Sequence, residues 1–215
     1  YMDRYEVTKA LWDEVYNWAI TNGYSFDNAG SGKATNHPAH TVNWYDVVKW
    51  CNARSQKEGR PAAYTVNGAV YKGGRSNDVV QASAAGYRLP TSDEWEYAAR
   101  GGAVSRRFPW GDSDEIQHAR ANYDSSSSYS YDTSPTRGCH PVYNDEVYPY
   151  SSPVGSFTAN GHGLYDMTGN MWEWCFDWHP SYEGSSRVIR GGSWYGYADI
   201  CRVGVRFFNG PDYAN

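Results

Sequence analysis

The chain predicts an α+β fold from three observations: helical periodicity with start signals at three places in the first half, a turn-rich middle, and short strand patterns near the C-terminus. Thr8 can cap a first helix running to about Asn22, with Leu11, Trp12, Val15, Trp18 and Ala19 at helical spacing before Gly23. A second helix begins after Asn43, where Trp44, Val47, Val48 and Cys51 make one apolar stripe that Gly59 ends. The third is short: Thr91 and Glu94 have capping-box spacing, and Gly101-Gly102 stops it. Beyond Gly102 turn residues dominate, and Ser125 to Ser134, almost wholly Ser, Tyr, Asp and Thr, reads as an exposed loop. Strands are expected at Val188-Ile189-Arg190, before Gly191-Gly192, and from Arg202 to Phe207, where side chains alternate with period two. No internal repeat or linker is evident, so one domain over residues 1–215 is expected.

Composition narrows the function classes. With 215 residues, 40% hydrophobic and 20% charged, the chain can bury a full core, and no run nears the roughly 18 apolar residues of a spanning helix. It opens on Tyr1 without a basic-then-apolar leader, so any signal or lipid anchor is expected to have been removed or never to have existed. The net charge of −5 and the lack of a Lys/Arg stripe argue against nucleic acid as a partner. Trp 10, Tyr 20 and Phe 6 make an aromatic-rich chain weighted toward side chains with polar tips, which suits recognition. The four cysteines, Cys51, Cys139, Cys175 and Cys201, are far apart and read as mostly free and buried. No Asn-x-Ser/Thr acceptor occurs. His37 and His40 form an isolated H-x-x-H without a third zinc ligand, and Ser193 has no partner pattern that argues for a nucleophile.

One ordered set of motifs carries a resemblance. Tyr5-Glu6-Val7-Thr8, Arg88-Leu89-Pro90-Thr91, Glu94-Trp95-Glu96-Tyr97-Ala98-Ala99-Arg100-Gly101-Gly102, Pro109-Trp110-Gly111 and Ala121-Asn122-Tyr123 occur in sequence. Pro153-Val154-Gly155, Gly163-Leu164-Tyr165-Asp166-Met167-Thr168-Gly169-Asn170, Trp172-Glu173-Trp174 and Arg190-Gly191-Gly192-Ser193-Trp194 follow. Together they resemble the formylglycine-generating enzyme (sulfatase-modifying factor) family over nearly the whole chain. The resemblance implies a C-type-lectin-like fold. It also implies a chain trimmed at both ends, since family domains start some tens of residues before the Tyr5 motif and close on a Gly-Phe-Arg strand.

Family members that oxidise a substrate cysteine hold copper between two cysteines five residues apart, just after the Gly-Gly-Ser-aromatic strand, as a soft Cu(I) ion prefers. Here Cys201 fills the second position and Gly196 the first. The pair is broken, so no copper and no oxidase activity are expected; the alternative is an oxidase relative with an odd substitution, or an accessory domain of a larger enzyme.

Residues 195–215 contain no Lys, Glu, Gln, Met or Trp. The segment resembles the variable region of diversity-generating retroelement proteins, the treponemal ones in particular, in which template adenines are randomised and Asn codons scatter into a restricted residue set. The positions where the family tends to carry Asn are Tyr195, Gly196, Tyr197, Asp199, Ile200, Gly204, Phe207, Phe208, Asn209, Gly210, Asp212 and Tyr213, with Ala214 and Asn215 beyond them. Tyr and Phe supply rigid contact area while Gly, Asn and Asp supply adaptable hydrogen bonding, the mixture of a paratope. Ile189, Val203 and Val205, with Arg190, Arg202 and Arg206 pinning loops through carboxylates, are the expected scaffold. The alternative is a loop-rich family end that is merely aromatic. The resemblance implies a protein or other macromolecular ligand, and a place at the bacterial cell surface, with the membrane reached only through an N-terminal lipid anchor outside this chain.

Calcium is the cofactor implied by the family. Its first site would use side-chain oxygens of Asp166 and Glu173 with the carbonyls of Gly169 and Met171, and its second Asn122, the Tyr123 carbonyl, Glu146 and the Tyr148 carbonyl. The alternative is that Asp166 and Glu173 satisfy turn amides without a metal.

Overall fold

A computed structural model describes residues 1–214; Asn215, the last position of the C-terminal segment, lies outside the described residues. Helix α1 spans Lys9–Thr21, and its first turn is closed by Thr8, whose hydroxyl accepts from the Leu11 amide at 3.2 Å. Helix α2, Trp44–Lys57, starts on a capping box in which Asn43 and Asp46 satisfy each other's amides. Trp12 and Trp50 stack across α1 and α2 with centroids 5.4 Å apart, seeding the first core cluster with Trp44, Tyr64 and Val48. Helix α3, Ser92–Arg100, carries the expected Thr91/Glu94 capping box and ends on Gly101 at φ +54.

Two small antiparallel sheets complete the framework. Strands β1 (Tyr64–Val66), β2 (Ala69–Val70) and β3 (Val80–Gln81) pair in the order β2-β1-β3. Strands β4 (Glu173–Trp178), β5 (Arg187–Arg190) and β6 (Phe207–Asn209) pair as β4-β5-β6. All four residues of β5 are buried, so it anchors everything that follows it in the chain. Trp95 of α3, with no exposed surface, packs with Cys175, Val188 and Val203 in a second core cluster.

Three expectations are corrected. Strands are not confined to the end, because the β1–β3 sheet intervenes between α2 and α3. The alternation from Arg202 to Phe207 is not a strand until Phe207: Arg190 takes the carbonyls of Val203 and Val205 at 3.1 and 2.8 Å, and the Val203 amide goes to the Arg107 carbonyl. A pinned turn thus mimics strand periodicity by burying Val203 and half-burying Val205. The Ser125–Ser134 stretch is not simply exposed either. Asp132, buried, accepts from the Tyr123 and Ser125 hydroxyls and the Ser126 amide, which folds the polar segment around one carboxylate.

Candidate binding surface and cation site

The C-terminal segment leaves β5 through Gly191 and Gly192, at φ +89 and +83. A side chain on Gly192 would place its Cβ 2.6 Å from the Cys201 sulfur, so the backbone there must be glycine for the segment to fold back on itself. Ser193 and Trp194 are buried, and the chain then emerges at Tyr195. Trp194 is the seat of this end: its ring lies 5.0 Å from each of Tyr148, Tyr150 and Tyr195. Tyr197, about half exposed, lies 6.3 Å from Tyr129. A second aromatic group forms where β6 begins. Phe207 stacks on Trp172 at 5.3 Å, and Phe208 packs on Tyr182 at 4.2 Å and His179 at 4.9 Å. The Trp44 amide donates to the Pro211 carbonyl at 3.0 Å, tying the last residues to α2 before Asp212 and Tyr213 return to solvent.

Of the twelve positions assigned to ligand contact, only Gly196 is buried, whereas the intervening Ala198, Cys201, Val203 and Pro211 all are. Gly196 serves as a backbone link, its carbonyl accepting from the Asp124 amide at 3.0 Å. The arginines divide the scaffold work. Arg190, with no exposed surface, donates to Ser92, Val203, Val205 and Glu96, and Arg206 pairs with Asp93 at 2.5 Å. Arg202 donates to a carbonyl, that of Asp199 at 2.7 Å, rather than to a carboxylate.

Cys201 is fully buried, and burial pushes its thiol up to about 12. A Cβ on Gly196 would meet the Ile200 side chain at 2.7 Å. Ile200 therefore fills the space a first cysteine would enter. All four cysteines are free. His37 pairs with Ser151 at 3.0 Å and His40 with Thr41 at 2.8 Å, so each imidazole already has its own hydroxyl partner.

Beside β4 three carboxylates lie near one another, Asp166 buried and Glu6 and Glu173 half-buried. Asp166, at φ +57, accepts from the Gly155 amide through Oδ2 while its buried Oδ1 has no partner. Burial pushes Asp166 up to about 6. Burial likewise pushes Glu173 up to about 7, Asp166 adding to the shift, although the Trp95 indole donates to it at 2.9 Å. Glu6 is raised by burial, then by Asp166 and Glu173, while accepting from Asn170 and the Met171 amide. A Cβ on Gly191 would lie 3.8 Å from both Glu173 Oε1 and the Met171 carbonyl, so these two oxygens border one small space. Among the described residues no three acidic, His or Cys side chains suffice to hold an ion alone. A cation here would need backbone carbonyls as well as Glu173, and the orphaned buried Asp166 oxygen is an unused acceptor of the kind a hard ion takes. Glu6 was not foreseen as a neighbour, since nothing in its spacing links it to residues 166–173.

The second expected set is less convergent. Asn122 is buried with Oδ1 unpartnered and donates to the Tyr150 carbonyl, the Tyr123 carbonyl accepts from His118, and Glu146 and Tyr148 are exposed.

Residues 1–215 match the family model described as "Sulfatase-modifying factor enzyme 1-like domain". The chain is 34% identical to the chaperone protein LppX of Paenibacillus barcinonensis, covering 94% of this chain and 72% of that protein. It is 31% identical to the formylglycine-generating enzyme of Mus musculus, covering 99% of this chain but spanning only 62% of the enzyme. Among solved structures, Treponema denticola variable protein 1 superposes with a TM-score of 0.70 at 29% identity, covering 98% of this chain and 78% of that one.

Proposed function

The chain belongs to the sulfatase-modifying factor (formylglycine-generating enzyme) family, with its C-type-lectin-like fold, and within it we propose a non-catalytic protein whose diversified C-terminal surface binds a protein or other macromolecule. The partition of residues 195–213 carries this: eleven of the twelve assigned positions reach solvent, and the residues between them include the buried anchors Ala198, Cys201, Val203 and Pro211. Such a surface can change its side chains without disturbing its seat. Tyr195, Tyr197, Phe207 and Tyr213, each exposed by more than two fifths, supply rigid contact area with few rotatable bonds. Likeness to the treponemal variable protein supports diversification and display at the bacterial cell surface.

Gly196 supports a non-catalytic role, because a two-thiolate copper site needs sulfur at both positions and one of the two has none. Calcium is the proposed ion at Asp166 and Glu173 with the carbonyls of Gly169 and Met171, supported by the orphaned Asp166 oxygen; it would supply fixed positive charge that neutralises the buried carboxylates. For binding, the test compares the wild type with Tyr195→Ala/Tyr197→Ala/Phe208→Ala against a ligand isolated on the wild-type protein. Loss of binding by a variant that still unfolds cooperatively is expected. Equal binding by both proteins would refute it.

A further inference from the structure

A cleft of about 280 Å³ opens between the loop after α3 and the turn at Gly204, lined by Arg100, Arg106, Arg107 and Arg202. Four arginines around one hollow are unexpected on a chain of net charge −5. Their internal neutralisation is incomplete. Arg107 pairs with Asp114, and Arg100 pairs with Glu96, which also serves the buried Arg190. The Arg202 guanidinium donates only through Nε, to a carbonyl, and Arg106 makes no side-chain hydrogen bond or ion pair among the described residues. Two carboxylates, Glu96 and Asp114, therefore pair with two of the four lining arginines, and Glu96 is shared with Arg190.

The walls are also held in place. The Val203 amide donates to the Arg107 carbonyl at 2.8 Å, the Arg107 amide to Asp114 at 2.6 Å, and Arg100 to the Arg106 carbonyl at 3.2 Å. At Gly204 a Cβ would come within 3.7 Å of the Arg100 guanidinium, so the missing side chain leaves the floor open. Arg100 also borders an adjoining hollow of about 400 Å³, where the exposed Tyr97 ring lies 5.4 Å from His162.

We propose that this cleft binds a tetrahedral oxyanion, a phosphate or sulfate group, with an organic substituent carried by that group lying on the Tyr97–His162 shelf. Guanidiniums offer paired N–H donors matched to such oxygens, and several of them around one hollow favour a tetrahedral ion over a flat carboxylate. Three of the four arginines lie outside the variable segment, so the walls belong mainly to the scaffold, whereas the floor at Gly204 is one of the assigned variable positions and the cleft stays open only where residue 204 is small.

The test is the melting temperature of the full chain in inorganic phosphate, inorganic sulfate, glucose 6-phosphate and glucose 6-sulfate, each against sodium chloride of equal ionic strength. A saturable stabilisation is expected, with a midpoint that Arg106→Ala raises and Arg106→Ala/Arg202→Ala raises by at least about tenfold. Arg106→Ala breaks no internal bond, so its melting temperature in chloride should match the wild type and keep the comparison valid. Tighter binding of the esters than of the free ions would identify the substituent shelf as part of the site, and equal binding would identify the free ion as the ligand. A non-saturating rise shared by wild type and variants is general salt exclusion and would overturn the proposal. So would saturable binding that neither variant weakens.

Discussion

Replacing Arg190 by methionine should detach the C-terminal segment from α3. The guanidinium, with no exposed surface, donates to the Ser92 hydroxyl and carbonyl, to the Val203 and Val205 carbonyls, and to Glu96 at 3.1 Å. Methionine fills much of the volume but donates nothing, leaving the Val203 carbonyl beside a core residue. Summing charge-assisted bonds at about 1.5–3 kcal/mol each would overshoot, because Val205 is only half buried and Glu96 keeps Arg100. A buried acceptor left unpaired costs about 1–3 kcal/mol, and the Ser92 hydroxyl and the Val203 carbonyl both lose their donor, so a loss of about 3–5 kcal/mol is expected. For a chain of this size each kcal/mol moves the melting temperature by about 2–4 °C, so a fall of roughly 6–20 °C is predicted. Arg190→Lys should recover part of it, since an ammonium reaches fewer of these acceptors. Thermal and urea unfolding read the difference. A loss below about 1 kcal/mol, or lysine no better than methionine, would refute the assignment of Arg190 as the pin.

Chelation should lower the melting temperature of wild type and leave Asp166→Ala unaffected; equal response of both would remove the calcium assignment. Asp166 and Glu173, raised to about 6 and about 7, contribute stability to the metal-free protein that is present below their unfolded values and lost as pH rises through those folded values. In chelator, wild type should therefore gain stability relative to Glu173→Gln between about pH 7.5 and 5, and calcium should erase the gain, as melting curves across pH would show. A thiol reagent should find only half-buried Cys139 readily in the native protein and all four cysteines after denaturation, because Cys51, Cys175 and Cys201 are buried. Cu(I) competition should show no tight site in wild type; Gly196→Cys should acquire one only if Ile200 gives way, and tight copper binding by wild type would contradict the broken pair.

The helices were legible because their signals are local: Thr8, Asn43 and the Thr91/Glu94 box each cap the helix they announce. Strand β4 was not, because the residues alternating with Trp174, Phe176 and Trp178 are Glu173, Cys175 and Asp177, so the buried cysteine interrupts the polar face. The Arg202–Phe207 pattern misled for the opposite reason, since burial of Val203 and partial burial of Val205 reproduce a period of two without a ladder. At the candidate cation site the loop residues were named from the family motif. Glu6 was not, because its contact with Asn170 and Met171 bridges some 160 residues of chain that no local spacing records. The arginine cleft was equally hidden: Arg100, Arg106 and Arg107 meet Arg202 only through the fold.

Sequencing this gene and its surroundings in several isolates tests the diversified surface most directly. A neighbouring reverse transcriptase and a near-copy of the codons for residues 195–215 are expected. Substitutions should fall on Tyr195, Tyr197, Phe207, Tyr213 and the other exposed positions, and Ala198, Cys201, Val203 and Pro211 should stay fixed. An invariant 3′ end with no such near-copy, or substitutions spread equally over the buried anchors, would contradict it.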